Sequence, residues 1–241
     1  MIDLSGYGLI IFDKDGTLID FNSMWGPWIE ALAQQLEAST GLALSAAIYE
    51  AMGYDAAGKQ AIAGGQLAVS SMAGLRTLAG EVLEAQGLAP GTAEDALRAA
   101  WHGPDPQSSA QPLTDLPSLF AGLRAQGLKI AVVTSDDRGP TETTFAGLGL
   151  GGEVDVIVAA DDGLPIKPAP HMVWTACLKT GVLPGKTIVV GDGVADLQMA
   201  RAAGAGLAVG VTSGVSRAEM LAPYADLLLA NVDEIMPDKG A

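Results

Sequence analysis

Cysteine is nearly absent from this 241-residue chain. Cys177 stands alone, so no internal disulfide can form, which fits a reducing compartment. Positive charge is scarce as well. The chain has 13 Lys and Arg against 28 Asp and Glu, and the net charge of −15 argues against nucleic acid, whose phosphates need a basic footprint. A small phosphorylated metabolite is still compatible, because one cation and a placed Lys or Arg can dominate a pocket. Apolar runs long enough to cross a bilayer are missing; Gly, Pro or charge interrupts each one. Met1-Ile2-Asp3-Leu4 carries neither the basic nor the apolar stretch of a secretory signal, so the cytoplasm is the expected compartment and no membrane partner is expected. Internal repeats and low-complexity tracts are lacking too. What is present suffices for a large core, with 49% hydrophobic and 17% charged residues.

Two textures divide the chain. From residue 21 to about 110 the apolar residues recur at helical spacing in four sets: Trp28 to Leu36, Leu44 to Met52, Leu67 to Leu83, and a fourth ending near Trp101. Ser23 is the expected cap of the first helix and Pro27 is expected in its first turn; no strand is expected in this block. His102 to Ser109 reads as a linker. Beyond it, helices and short apolar strands alternate, with strands expected at 128–133, 154–159, 187–190, 207–211 and, at an edge, 226–229. That alternation predicts an α/β protein with a three-layer, Rossmann-like parallel sheet. The apolar run at residues 7–12 has no partner strand before residue 128, so it belongs to the same sheet. The expected division is a core of 1–20 and 113–241 with an inserted all-α domain at 21–112.

Each strand is followed by polar residues, and a parallel sheet brings those loops to one edge. They are Asp13-Lys14-Asp15-Gly16-Thr17, then Thr134-Ser135, then the loop ending Lys167-Pro168, then Gly191-Asp192 with Asp196 four residues on. Taken singly, each has an ordinary alternative. Asp13 and Asp15 fit a turn, Thr134 a helix cap, Lys167 a solvated surface, and Asp192 and Asp196 the start of a helix. Two carboxylates about 4 Å apart repel by ~4 kcal/mol at an effective dielectric of about 20, and a divalent cation, a lysine or a proton relieves this. Phosphoryl transfer uses all three.

In this order these segments resemble the four motifs of the haloacid dehalogenase-like phosphohydrolase superfamily, phosphoglycolate-phosphatase-like branch. The helical block resembles that superfamily's small α-helical cap. The resemblance implies a phosphatase for a small phosphomonoester, possibly phosphoglycolate or a sugar phosphate. Asp13 would be the nucleophile, forming an aspartyl-phosphate, and Asp15 the acid and then the base. Mg²⁺ would be held by the carboxylates of Asp13 and Asp192 and the backbone carbonyl of Asp15. Thr134 and the Ser135 N–H would hold phosphoryl oxygens, Lys167 would neutralise charge, and Asp196 would orient Lys167 or a metal-bound water.

Two alternatives stand beside it. A phosphosugar mutase would usually carry a His shortly after the first motif, and Asp20 to Trp25 has none. A signalling receiver, phosphorylated on Asp, would order its motifs differently and carry no inserted cap. For substrate choice, Trp25 and Trp28 read either as pocket mouth or as helix packing. Lys59, Arg76 and Arg138 read either as reaching a substrate anion or as solvated surface residues. His102, His171 and Cys177 are assigned no role, and oligomeric state is not legible.

Overall fold

The computed structural model describes residues 3–105 and 109–236. Residues 106–108 of the expected linker, and the last five residues, lie outside that description.

Strand β1 (Leu9–Phe12) is followed by helices α1 (Phe21–Thr40) and α2 (Ser45–Met52), then a hairpin of β2 (Tyr54–Asp55) and β3 (Gln60–Ala61). Helices α3 (Gln66–Val69), α4 (Met72–Ala85) and α5 (Pro90–Ala100) complete the block. The chain then alternates: α6 (Leu116–Ala125), β4 (Lys129–Val133), α7 (Arg138–Gly147), β5 (Val156–Val158), α8 (His171–Thr180), β6 (Thr187–Gly191), α9 (Val194–Ala203), β7 (Leu207–Val211), α10 (Ala218–Leu221) and β8 (Leu227–Leu229).

Six strands form one parallel sheet in the order β5-β4-β1-β6-β7-β8, with β8 at an edge as expected. Alternate side chains of β1 enter different cores. Ile10 and Phe12 pack with Leu119, Phe120 and Leu123 of α6, whereas Leu9 and Ile11 pack with Met172, Val173 and Ala176 of α8 and Leu197 of α9. Both faces are therefore covered, which explains why the strands read as unbroken apolar runs. The chain passes from β1 to β4 on one side and reaches β6 on the other. This places a crevice at the carboxyl end of β1, between its two neighbours.

Three local expectations are corrected. Helix α1 starts at Phe21, because the Asp20 carboxylate accepts the Ser23 N–H at 2.6 Å; Pro27 consequently lies inside the helix rather than in its first turn. An interior proline costs about 3 kcal/mol, and burial of Phe21, Trp25 and Trp28 around it, at ~1.5–3 kcal/mol for each large side chain, outweighs that. The expected helix from Leu67 to Leu83 is broken at Ser70-Ser71, where the Ser71 hydroxyl accepts the Gly74 N–H and starts α4. The block also holds the β2–β3 hairpin, where no strand was expected.

Both connections between the sheet and the helical block run side by side. Asp20 N–H donates to the Gln111 carbonyl at 2.8 Å, and Leu113 N–H to the Leu18 carbonyl at 2.9 Å.

Candidate active site

Sheet hydrogen bonds aim the loops. Asp13 continues β1 through its N–H to the Val190 carbonyl, and Thr134 continues β4 through its N–H to the Val158 carbonyl. Asp15 follows within a turn closed by a 2.7 Å bond from Gly16 N–H to the Ile19 carbonyl, with Gly16 at φ +87°. Asp192 comes off the end of β6, and Asp196 sits in the first turn of α9. Lys167 closes the loop after β5 and is joined to Pro168 by a cis peptide bond.

These residues line one cavity of about 250 Å³ at the carboxyl edge of the sheet. Carboxylate oxygens of Asp13, Asp192 and Asp196 lie within 4.8 Å of one another. Lys167 is 9% exposed, not a solvated surface residue. Its ammonium pairs with Asp13 and, at 2.6 Å, with Asp196. The other Asp196 oxygen accepts the Gly193 N–H at 3.0 Å, so both its oxygens are engaged and it positions Lys167. Thr134 is buried; its hydroxyl accepts the Asp136 N–H at 3.0 Å and donates to no protein group among the described residues. Ser135 lies half-buried beside it in the cavity wall.

The electrostatics are those of a crowded anionic site. Burial pushes the Asp13 carboxyl up to about 6 against the pull of Lys167, with Asp196 adding repulsion. Burial, followed by the charges of Asp13 and Asp196, raises the Asp192 carboxyl well above its ordinary value. Burial alone would lower Lys167, but attraction to Asp13 and Asp196 outweighs it and the ammonium is held above its ordinary value. Asp13 and Asp192 thus converge with less positive charge than they carry negative, and Lys167 is spent on Asp13 and Asp196. A hard divalent cation suits this all-oxygen donor set.

Several site residues escaped sequence reasoning. Lys14, between the two motif aspartates, is fully buried; its Nζ lies 2.9 Å from Asp15 and 3.2 Å from Asp136. Burial opposes its charge, yet these two carboxylates hold it above the ordinary lysine value. The Asp15 carboxylate is therefore drawn to Lys14, apart from the carboxylate group of Asp13, Asp192 and Asp196. A fifth loop, after β7, also contributes. Val215 N–H donates to Asp192 at 2.9 Å, the Thr17 hydroxyl donates to its other oxygen at 3.2 Å, and the Ser213 hydroxyl donates to the Gly16 carbonyl at 2.8 Å. The signal for this loop was small: Thr212-Ser213-Gly214 directly after an apolar strand.

Other candidates are placed elsewhere. Arg138 is committed to Asp162 at 2.6 Å and to the Ile157 carbonyl at 2.9 Å. Arg76 pairs with Glu94 at 2.7 Å, and Lys59 sits exposed at the tip of the cap hairpin. Trp28 packs edge-on between Trp25 and Trp101 and donates its indole N–H to the His102 carbonyl; Trp25 is buried too but also lines the cavity. Cys177 is buried against Thr187. Among the described residues no helix is long and apolar enough to cross a membrane.

Comparison with known proteins agrees with this geometry. A family model described as haloacid dehalogenase-like hydrolase matches residues 7–204. A plasmid-encoded phosphoglycolate phosphatase of Cupriavidus necator is 30% identical over 199 residues, covering 81% of this chain and 77% of that protein. A phosphoglycolate phosphatase of Pectobacterium atrosepticum is 33% identical over 119 residues, 49% of this chain and 50% of that one, so the match spans about half of that relative's length. Among solved structures, a phosphatase of the same superfamily from Thermococcus onnurineus superposes with a TM-score of 0.65 at 21% identity, covering 95% of each chain.

Proposed function

Since this chain belongs to the haloacid dehalogenase-like hydrolase family, we propose that it is a Mg²⁺-dependent phosphatase that hydrolyses a small phosphomonoester through an aspartyl-phosphate on Asp13. The observation that carries the reading is the convergence of Asp13, Asp192 and Lys167 beside the Thr134 hydroxyl, from four different loops.

An Asp13 carboxylate oxygen attacks phosphorus as the bond from phosphorus to the leaving alcohol breaks, and Asp15 supplies the proton that the alcohol oxygen takes. Water then attacks the phosphorus of the aspartyl-phosphate, Asp15 takes its proton, and inorganic phosphate and free Asp13 result. The Thr134 hydroxyl and the Ser135 N–H hold phosphoryl oxygens, and Lys167 balances charge on the nucleophile and the transferring group. Asp196 keeps Lys167 in place. Mg²⁺, held by Asp13, Asp192 and the Asp15 carbonyl, would neutralise the charge that otherwise repels a phosphate dianion from this acidic site. The adjacent connections joined by Asp20–Gln111 and Leu18–Leu113 hydrogen bonds support a division at 20/21 and 112/113, with the helical block acting as a cap that excludes water.

The test is phosphate release from p-nitrophenyl phosphate and from a panel of phosphorylated metabolites, with and without Mg²⁺. Metal-dependent release that vanishes in Asp13→Asn is expected. Exchange between sugar-phosphate isomers without net release would select the mutase instead.

A further inference from the structure

We propose that the group esterified to the phosphate is uncharged and largely apolar, so that the enzyme disfavours carboxylated phosphoesters of the phosphoglycolate type. This names the substrate class of the proposed phosphatase and rests on that reading.

The cavity is asymmetric. Its floor, at the sheet edge, holds the acidic residues and Lys167. Its walls are built mostly from Phe21 and Trp25 of α1, Leu67 and Val69 of α3, Met72 of α4 and Met220 of α10, with the hydroxyl residues Ser70 and Ser216 between them and no charged side chain. Among the described residues, Lys167 is the single Lys or Arg in the lining, and no His lines it. That ammonium is already divided between Asp13 and Asp196.

The cap brings no substitute. Arg76 is paired with Glu94, Arg98 with Asp95 at 3.2 Å, and Lys59 stands at the hairpin tip; none of the three lines the cavity. A substrate carboxylate carried beyond the phosphate would lose part of its water to a mostly apolar wall, with several aspartates nearby and both lysines of the floor already paired, a costly transfer. An alkyl or aromatic group of the same size would instead bury apolar surface against that wall.

Lys14, behind the floor, is taken up by Asp15 and Asp136. Arg217 lies on the wall of a separate outer cleft of about 790 Å³ between the cap hairpin and α10, which shares Val215 and Met220 with the inner cavity. It gives the test a second arm.

Isobutyl phosphate is an isostere of phosphoglycolate whose esterified group is uncharged, with two methyl groups in place of the carboxylate oxygens, and its leaving alcohol is also aliphatic. With Mg²⁺ present, kcat/KM for isobutyl phosphate is expected to exceed that for phosphoglycolate by about tenfold or more. Val69→Arg and Met220→Arg place a cation on the wall at positions 39% and 37% exposed, where a long polar side chain is tolerated. At least one of them is expected to shift the ratio toward phosphoglycolate by about fivefold or more. Arg217→Ala is expected to leave the ratio unchanged.

Equal or better turnover of phosphoglycolate by the wild type overturns the proposal, as does a ratio that neither arginine variant moves. If the wild type prefers phosphoglycolate and Arg217→Ala removes that preference, the outer cleft selects the substrate and the proposal falls. Absence of Mg²⁺-dependent release even from p-nitrophenyl phosphate sinks the phosphatase reading itself, which separates the two failures.

Discussion

Lys14 Nζ lies 2.9 Å from the Asp15 carboxylate, with no exposure to solvent. The first loop therefore carries its own countercharge, and the site contains two buried lysines, each between two aspartates: Lys14 with Asp15 and Asp136, Lys167 with Asp13 and Asp196. Nucleophile and acid are held by different cations. The two residues are paired with different lysines although they are two apart in sequence.

Removing Lys14 should cost stability as well as rate. Lys14→Met leaves the part-buried Asp15 and the buried Asp136 without their shared countercharge, a change of roughly 3–5 kcal/mol by the behaviour of broken buried pairs. Chemical denaturation reads the stability change directly. A variant as stable as the wild type would show that the ion pair is dispensable.

Asp13 and Asp15 should respond differently to the leaving group. Asp13→Asn is expected to lower turnover of every phosphoester by about 10⁴-fold or more, since the attacking atom is lost. Asp15→Asn should cost about 10²–10⁴-fold with alkyl phosphates, whose leaving oxygen needs a proton, and less with p-nitrophenyl phosphate. Equal losses on both substrates would remove Asp15 from the acid role.

The stabilisation given by Mg²⁺ should grow with pH. The folded-state carboxyl of Asp13 is raised by burial from the ordinary 3.8 to about 6, and that of Asp192 is raised too. Between those values the folded chain binds more protons than the unfolded one, so their contribution to metal-free stability is full below about pH 4 and declines as pH rises through the folded value. Above it, the two charges oppose folding unless a cation is bound. The rise in Tm on adding Mg²⁺ is therefore expected to be larger at pH 7.5 than at pH 5, by differential scanning fluorimetry. A larger shift at pH 5 would contradict this account of the site.

Two glycines make room for the Asp192 carboxylate. A Cβ at Gly214 or at Gly16 would collide with the Asp192 carboxylate, and Gly16 also needs its φ of +87°. Gly214→Ala is expected to weaken Mg²⁺ activation by about tenfold or more, seen as a raised metal concentration for half-maximal rate, because ligand orientation controls affinity. Unchanged metal dependence would mean that Asp192 has room to move.

Arg138→Ala tests a residue whose position in sequence suggested a substrate contact. Its guanidinium is tied to Asp162 and the Ile157 carbonyl, so kcat/KM should change less than about threefold while the Tm falls by a few degrees. A raised KM without loss of Tm would restore the substrate role.

Strand ends and the order of the polar loops were legible in the chain, because a parallel sheet buried on both faces writes its strands as continuous apolar runs. Ile10 to Phe12, Ile130 to Val133 and Ile188 to Val190 could hardly lie elsewhere, and one edge for Asp13, Thr134, Lys167 and Asp192 followed from topology. Less visible were features that depend on a partner far along the chain. Lys14 looks like any lysine between acids until Asp136 is brought to it. The hairpin strands Tyr54–Asp55 and Gln60–Ala61 are too short for alternation to register. Pro27 resembles a helix start because the aromatic packing that tolerates it in the interior comes partly from Trp101.

By itself, then, the sequence determined which chemical groups stand at the sheet edge, since periodicity and residue type are local properties. Tertiary structure decided how those groups divide the available charge: which lysine serves which aspartate, which arginines are consumed by ion pairs, and that the wall above the floor is mostly apolar and free of unpaired cations. Coulomb energy and desolvation depend on distances across the fold, and those distances exist only after it has closed.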